Sequence, residues 1–146
     1  MKVHFFLSME PPTKTQQEHR IGKRRDGSLY IYEDRDLKEA RLKLRHALNK
    51  IEHECLDGKI RLTVKWLFPR GSHPDGEYKP TKPDTDNLNK MLKDEMTHTG
   101  FWKDDAQVVS EIIEKFWAEH PGIFVNIEEI VSITHDLKTD GLVTTQ

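Results

Sequence analysis

A chain of 146 residues is one domain's worth, and it can remove about 70% of its unfolded surface from water without a metal or disulfide to hold it together. With 35% hydrophobic and 33% charged residues and a mean hydropathy of -0.76, no apolar run approaches the roughly 18 residues of a membrane span. The net charge of -2 argues against a simple basic DNA-coating protein, and the single Cys55 excludes an internal disulfide framework. The first seven residues are too short and wrongly flanked for a signal peptide, so a soluble, cytoplasmic protein with no membrane association is expected.

The charge is unevenly distributed. Residues 13–25 carry five bases (Lys14, Arg20, Lys23, Arg24, Arg25) against one acid, Glu18, which leaves about -6 for the rest. Such a division suits a protein that grips a polyanion in one place and holds cations in another.

In chain order, Val3, Phe5 and Leu7 alternate with Lys2, His4 and Phe6 and predict an opening strand, which Pro11 and Pro12 end. The basic segment 13–25 has no apolar period and reads as a loop or mobile arm; a short strand is expected over 28–32, after the Asp26-Gly27 turn signal. Asp36 and Glu39 fit a capping box. Leu37, Ala40, Leu44, Ala47, Leu48, Ile51 and Cys55 then follow at helical spacing, which predicts a long amphipathic helix to about Glu54. Ile60, Leu62, Val64, Trp66 and Phe68 alternate with Arg61, Thr63, Lys65 and Leu67 and give the strongest strand signal. Residues 69–83 hold four prolines and two glycines and form a long, mobile loop. Leu88, Met91, Leu92 and Met96 mark a second helix, capped by Asp86 or Thr85 and ended by Gly100. Residues 108–117 read as a buried strand, and after the His120-Pro121-Gly122 turn Ile123, Val125 and Ile127 continue as its hairpin partner. The fold class is α/β (α+β): one domain over 1–132, a mixed β-sheet of four to five strands with two main helices packed on it, and a flexible tail over 133–146.

The chemistry concentrates between Lys82 and Asp105. Asp84 and Asp86 stand one residue apart where loop becomes helix, and Lys90 lies one helical turn beyond Asp86 on the same face. Past the helix and Gly100 comes Asp104-Asp105, which a reversing loop can bring back toward the first pair. Carboxylates crowded together repel one another and call for a cation; an all-oxygen set favours Mg²⁺, with Mn²⁺ as the alternative. Such an ion activates water for phosphodiester hydrolysis. Asp84, Asp86 and Asp105 are then the metal ligands, Asp104 an auxiliary ligand or base, and Lys90 the lysine that stabilises transition-state charge. Taken singly, each has a plainer reading as a helix cap, a turn or a solvated lysine. An EF-hand starting at Asp84 fails at Leu88 and Asn89. His53 and Cys55 lack a second pair for zinc. Phe101 and Trp102 read as core.

Together, Lys82-Pro83-Asp84-Thr85-Asp86-Asn87-Leu88, Lys90, Gly100, Asp104-Asp105, Gln107-Val108 and Lys115 closely resemble the RusA family of Holliday-junction resolvases, found in bacteria and often on prophages. The resemblance implies a homodimeric, Mg²⁺-dependent endonuclease that cuts four-way (branched) DNA junctions by paired symmetric nicks. It assigns metal binding to Asp84, Asp86 and Asp105, the essential lysine to Lys90, a neighbouring acid to Asp104 and a lysine near the phosphates to Lys115. Residues 13–25 depart from the family's usual Pro/Arg-rich stretch. Lys14, Arg20, Lys23, Arg24 and Arg25, with Lys79 and Lys82, are expected to neutralise phosphates around the acidic centre. The competing readings are a junction-binding protein without cleavage and a metal nuclease acting on flaps or forks.

Overall fold

The computed structural model describes residues 1–15, 20–32 and 34–137. The alternating N-terminal segment forms β1 (Lys2–Leu7). A two-stranded antiparallel ribbon follows, β2 (Arg20–Lys23) with β3 (Leu29–Tyr32), so part of the expected arm is a strand. Residues 16–19 of that arm lie outside the described ones. The ribbon is turned by Gly27 at φ 88° and by Ser28, whose N–H donates to Asp26 Oδ1 (2.9 Å).

Helix α1 (Arg35–Asn49) starts and ends earlier than its periodicity predicts. Asp34, not Asp36, is the cap: its carboxylate accepts the Asp36 N–H at 2.8 Å. At the other end the Lys50 and Ile51 N–H groups bond back three residues, to Ala47 and Leu48, and close the helix. The chain then leaves the helical path because a different partner holds it. His53 stacks on the Phe101 ring, and the Leu56 N–H donates to the Phe101 carbonyl (2.9 Å). Cys55, which continues the helical spacing in the sequence, is exposed in this connection.

β4 (Lys59–Pro69) is the centre of the main sheet, whose strand order is β1-β6-β4-β5. Its inward residues Ile60, Leu62, Val64, Trp66 and Phe68 are all 3% exposed or less. Leu37, Leu44 and Leu48 of α1, and Leu88, Met91, Leu92 and Met96 of α2 (Thr85–His98), cover that face. Arg45 of α1 reaches Glu95 of α2 through Nε at 2.7 Å and a second guanidinium nitrogen at 3.3 Å, so the two helices are tied by a forked ion pair.

β5 (Val108–Ala118) runs parallel to β4, and α2 supplies the crossover that parallel pairing requires. β6 (Gly122–Ile130) is antiparallel to β4 on its other flank and pairs with β1. The expected β5–β6 hairpin therefore does not form. Ala118 ends opposite Pro69 and Gly122 starts opposite Leu67, so residues 119–121 carry the chain across the end of β4. A turn signal fixes a reversal but not the neighbour met afterwards. Gly122 suits its place because a Cβ there would lie 2.7 Å from the Leu7 carbonyl oxygen on β1. β5 is consequently an edge strand with Val109 and Ile112 more than half exposed, not the buried strand its composition predicts.

The proline-rich stretch 69–83 is laced to that edge. Arg70, Gly76 and Lys79 donate backbone N–H groups to Ala118, Trp117 and Lys115, and the Trp117 N–H donates to Glu77. Tyr78 bridges to Phe116 and its ring stacks there. Residues 131–137 form no regular element, and 138–146 of the expected tail lie outside the described residues.

Candidate active site

Helix α2 begins at Asp84, whose backbone is extended (φ -74°, ψ 147°) and whose carbonyl accepts the Leu88 N–H at 3.1 Å. The Asp84 side chain makes no capping bond, unlike that of Asp34 on α1. Asp86 lies in the first turn, where the helix N-terminus favours a negative charge. From there Asn89, Lys90 and Lys93 follow at one-turn and two-turn spacing, which sets them on one stripe.

The approach to Asp84 is held by two lysines. Lys115 on β5 donates from Nζ to the Thr81 and Pro83 carbonyls at 2.7 and 2.8 Å. Lys79 is buried, donates to Thr81 Oγ1 at 2.6 Å and to the Lys82 carbonyl, and lies over the Trp117 and Phe68 rings. Burial first, and the nearby Lys115 charge second, hold its pKa below the usual lysine value. These two ammonium groups thus face the loop, whereas the sequence places them toward phosphate. Lys82 is exposed, as are Arg20, Lys23, Arg24 and Arg25, and Lys14 is half-buried.

Helix α2 ends in a Schellman motif. Gly100 takes φ 84°, its N–H reaches Thr97 (3.2 Å) and the Phe101 N–H reaches Met96 (3.0 Å). This turn buries Phe101 and Trp102, the core pair expected from the sequence, and the Trp102 indole N–H donates to Thr97 Oγ1 at 2.7 Å. A single 3₁₀ turn, Asp105–Gln107, follows. Asp104 caps it by accepting the Ala106 N–H at 2.9 Å, and Gln107 closes the capping box. The same Gln107 donates from Nε2 to the Leu56 and Gly58 carbonyls at 2.9 and 3.1 Å, which pins the Asp104-Asp105 turn to the entry of β4. Gln107 carries no role in the sequence reading beyond its place in the motif; its function is visible only once its four partners, the Lys103 and Asp104 N–H groups and the Leu56 and Gly58 carbonyls, are in place.

These elements converge on one cavity of about 300 Å³, lined by Thr85, Asp86, Asn89, Lys90, Lys93, Asp105, Glu111 and Ile113. Asp86, Lys90 and Asp105 are brought together. Asp84 and Asp104 lie beside the cavity without lining it. Lys90 is exposed and pairs with Asp94 at 3.5 Å, an exposed one-turn pair whose contribution is about 0.3–0.5 kcal/mol, so a stronger anion can take the lysine over. On the facing wall Glu111 of β5 is held by Lys93 at 2.5 Å. Asn89 is fully buried, and neither its amide oxygen nor its amide nitrogen has a hydrogen-bond partner among the described residues. An unanswered buried polar group costs about 1–3 kcal/mol. The sequence reading missed Asn89, Lys93 and Glu111. The first two were detectable as continuations of the Asp86 stripe, while Glu111 needed the β5 register.

The acidic and amide side chains on this wall offer oxygen donors and no sulfur or imidazole, a set that fits a hard divalent cation. Among the described residues no three His, Cys, Asp or Glu side chains are gathered as closely as a bound ion requires, so the donors stand around an open cavity.

Against known proteins, residues 10–128 match the family model described as Endodeoxyribonuclease RusA. The chain is similar to the crossover junction endodeoxyribonuclease rusA of Lactococcus phage r1t, with 30% identity over 133 residues that cover 89% of this chain and 100% of that protein. It is also 46% identical over 50 residues to YqaN of Bacillus subtilis (strain 168), described as uncharacterized, across 34% of each chain.

Proposed function

The chain belongs to the RusA family of endodeoxyribonucleases, and from that premise we propose that it resolves four-way DNA junctions by paired symmetric nicks, as a homodimer that uses Mg²⁺, with Mn²⁺ able to substitute. The observation that carries the reading is the single cavity shared by Asp86, Asp105 and Lys90, from two segments far apart in sequence. Asp86 and Asp105 would hold the cation, with Asp84 joining them from the helix start, its carboxylate uncommitted to capping. A bound ion would supply Lewis acidity and lower the pKa of a coordinated water, making it nucleophilic enough to attack a phosphodiester.

The chain's own residues do the rest. Lys90 leaves its weak pair with Asp94 and meets the charge that develops on the scissile phosphate. Asp104 orients Asp105 by capping its turn. Lys115 and Lys79 fix the loop that delivers Asp84 and act as positioning residues. The exposed Lys23, Arg24, Arg25 and Lys82, with Arg20 and Lys14, neutralise backbone phosphates, so recognition is of junction shape more than of bases. A four-way junction has approximate two-fold symmetry, and two copies related by that axis address two strands at once.

The test is an end-labelled four-way junction, a flap and a linear duplex, each incubated with the protein in Mg²⁺ and in EDTA. Symmetric nicks in the junction, absent in EDTA and absent with Asp86→Asn, are the expected result, with junction binding by the variant retained. Full cleavage by Asp86→Asn would overturn the site, and preferential nicking of the flap would replace the junction as substrate.

A further inference from the structure

Asn89 poses a question that the family assignment does not answer. It sits on α2 between Leu88 and Met91, both fully buried, where an apolar side chain would pack without penalty. Asparagine is also a poorer helix former than leucine. Yet both amide atoms are buried without a partner among the described residues, and the residue lines the cavity that Asp86 and Asp105 share. A buried amide left unanswered by protein points to a bound group or an ordered water.

The opposite wall carries a second unexplained feature. Glu111 projects from β5 into the same cavity and is met by Lys93, one helical turn beyond Asn89. Their side chains are 23% and 27% exposed and both line the cavity, with Glu111 at its open edge on the exposed strand β5. An ammonium ion against a carboxylate in this position occupies the ligand that a metal would use.

We propose that Asn89 and Glu111 are two further cation ligands of this chain: Asn89 through its neutral amide oxygen, and Glu111 through a carboxylate that Lys93 masks until the cation displaces it. The proposal rests on the cavity reading given above and adds ligands to it. It follows that Lys93 competes with the metal, and that its removal tightens binding while removal of either ligand weakens it.

The experiment is calorimetric titration of the full chain with Mn²⁺ alone, without DNA, for wild type, Asn89→Leu, Glu111→Gln, Lys93→Met and Asp86→Asn, each with its melting temperature in EDTA. Asn89→Leu and Glu111→Gln should each bind Mn²⁺ roughly tenfold more weakly, and Lys93→Met more tightly than wild type. Asn89→Leu should melt in EDTA at or above the wild-type temperature, because an unanswered amide has been removed. Wild-type Mn²⁺ affinity in both Asn89→Leu and Glu111→Gln, with affinity lost in Asp86→Asn, overturns the proposal and leaves the cavity reading intact. Wild-type affinity in Asp86→Asn overturns the cavity reading itself. If Asn89→Leu does not fold, Glu111→Gln and Lys93→Met decide: unchanged affinity in both overturns the proposal.

Discussion

The wall between α2 and β5 and the ribbon β2–β3 are both charged, yet they are built in opposite ways. On the wall, each charged side chain sits on an element anchored to the core: Asp86 on the helix that buries Leu88 and Met91, Glu111 two residues before Ile113, Asp105 in a turn pinned by Gln107. On the ribbon, Ile21, Leu29 and Ile31 are 69%, 67% and 74% exposed, so its aliphatic face packs on nothing described. A two-stranded ribbon is marginal alone. This one is moored to the domain at Asp34, which caps α1 with one oxygen and accepts Arg20 Nε at 2.6 Å with the other. That hydrogen bond to Arg20, then the one from the Asp36 backbone, holds the Asp34 pKa below the usual carboxylate range. The wall fixes its charged side chains through the packed elements that carry them. The ribbon presents Lys23, Arg24 and Arg25 on a projecting support, with Arg24 over the Tyr30 ring.

If that contrast is right, substitutions on the wall should damage catalysis and those on the ribbon should damage binding. The largest effect is expected for Asp105→Asn. Outer partners of metal ligands already cost 10–100-fold when removed, so loss of Asp105 as the proposed ligand should lower the single-turnover cleavage rate by at least about 100-fold. The Kd for a junction in EDTA should stay within about twofold, since no DNA-facing base has changed. A variant that cleaves normally would erase the distinction between the two regions.

The same contrast explains what could be read from the sequence. Asp86, Lys90 and their stripe were legible because helical spacing alone sets them on one face. Their meeting with Asp105 was inferable from the reversal at Gly100. The central strand was legible because alternation at Ile60, Leu62, Val64, Trp66 and Phe68 reflects one buried face. The ribbon was half legible: the Asp26-Gly27 turn and the strand after it showed, but β2 offers only Arg20, Ile21, Gly22 and Lys23, with no buried face to impose a period. Three other features depended on tertiary partners that no local pattern encodes. These are the early stop of α1, set by Phe101; the place of β6 between β1 and β4; and the inward turn of Lys79 and Lys115.

Lys115 offers the sharper probe of the wall, because sequence and structure give it different work. Held as it is on the Thr81 and Pro83 carbonyls, it positions Asp84. Lys115→Met should then lower the cleavage rate about tenfold or more through misplacement, with junction affinity unchanged. A phosphate contact would give the reverse, a weaker Kd and a shallower salt dependence with the single-turnover rate intact at saturation. Lys115→Arg separates a positioning role further, since a guanidinium supplies the charge but not the compact ammonium that reaches two carbonyls.

The smallest effect is expected from the ribbon, and there it should appear only in binding. Lys23, Arg24 and Arg25 are exposed. Each phosphate they neutralise should release about 0.9 of a condensed counterion, so the Lys23→Ala, Arg24→Ala, Arg25→Ala variant should flatten the slope of log K against log salt by between two and three units. At low salt the affinity loss should be several-fold to about tenfold, shrinking as salt rises because the lost contacts were themselves screened. The cleavage rate at saturating protein should not change, since none of the three lines the cavity. An unchanged salt slope would make these bases a solvated edge and leave the wall as the DNA-gripping surface as well. A changed slope with a lowered saturated rate would mean that the ribbon shapes the junction over the site and does more than hold it.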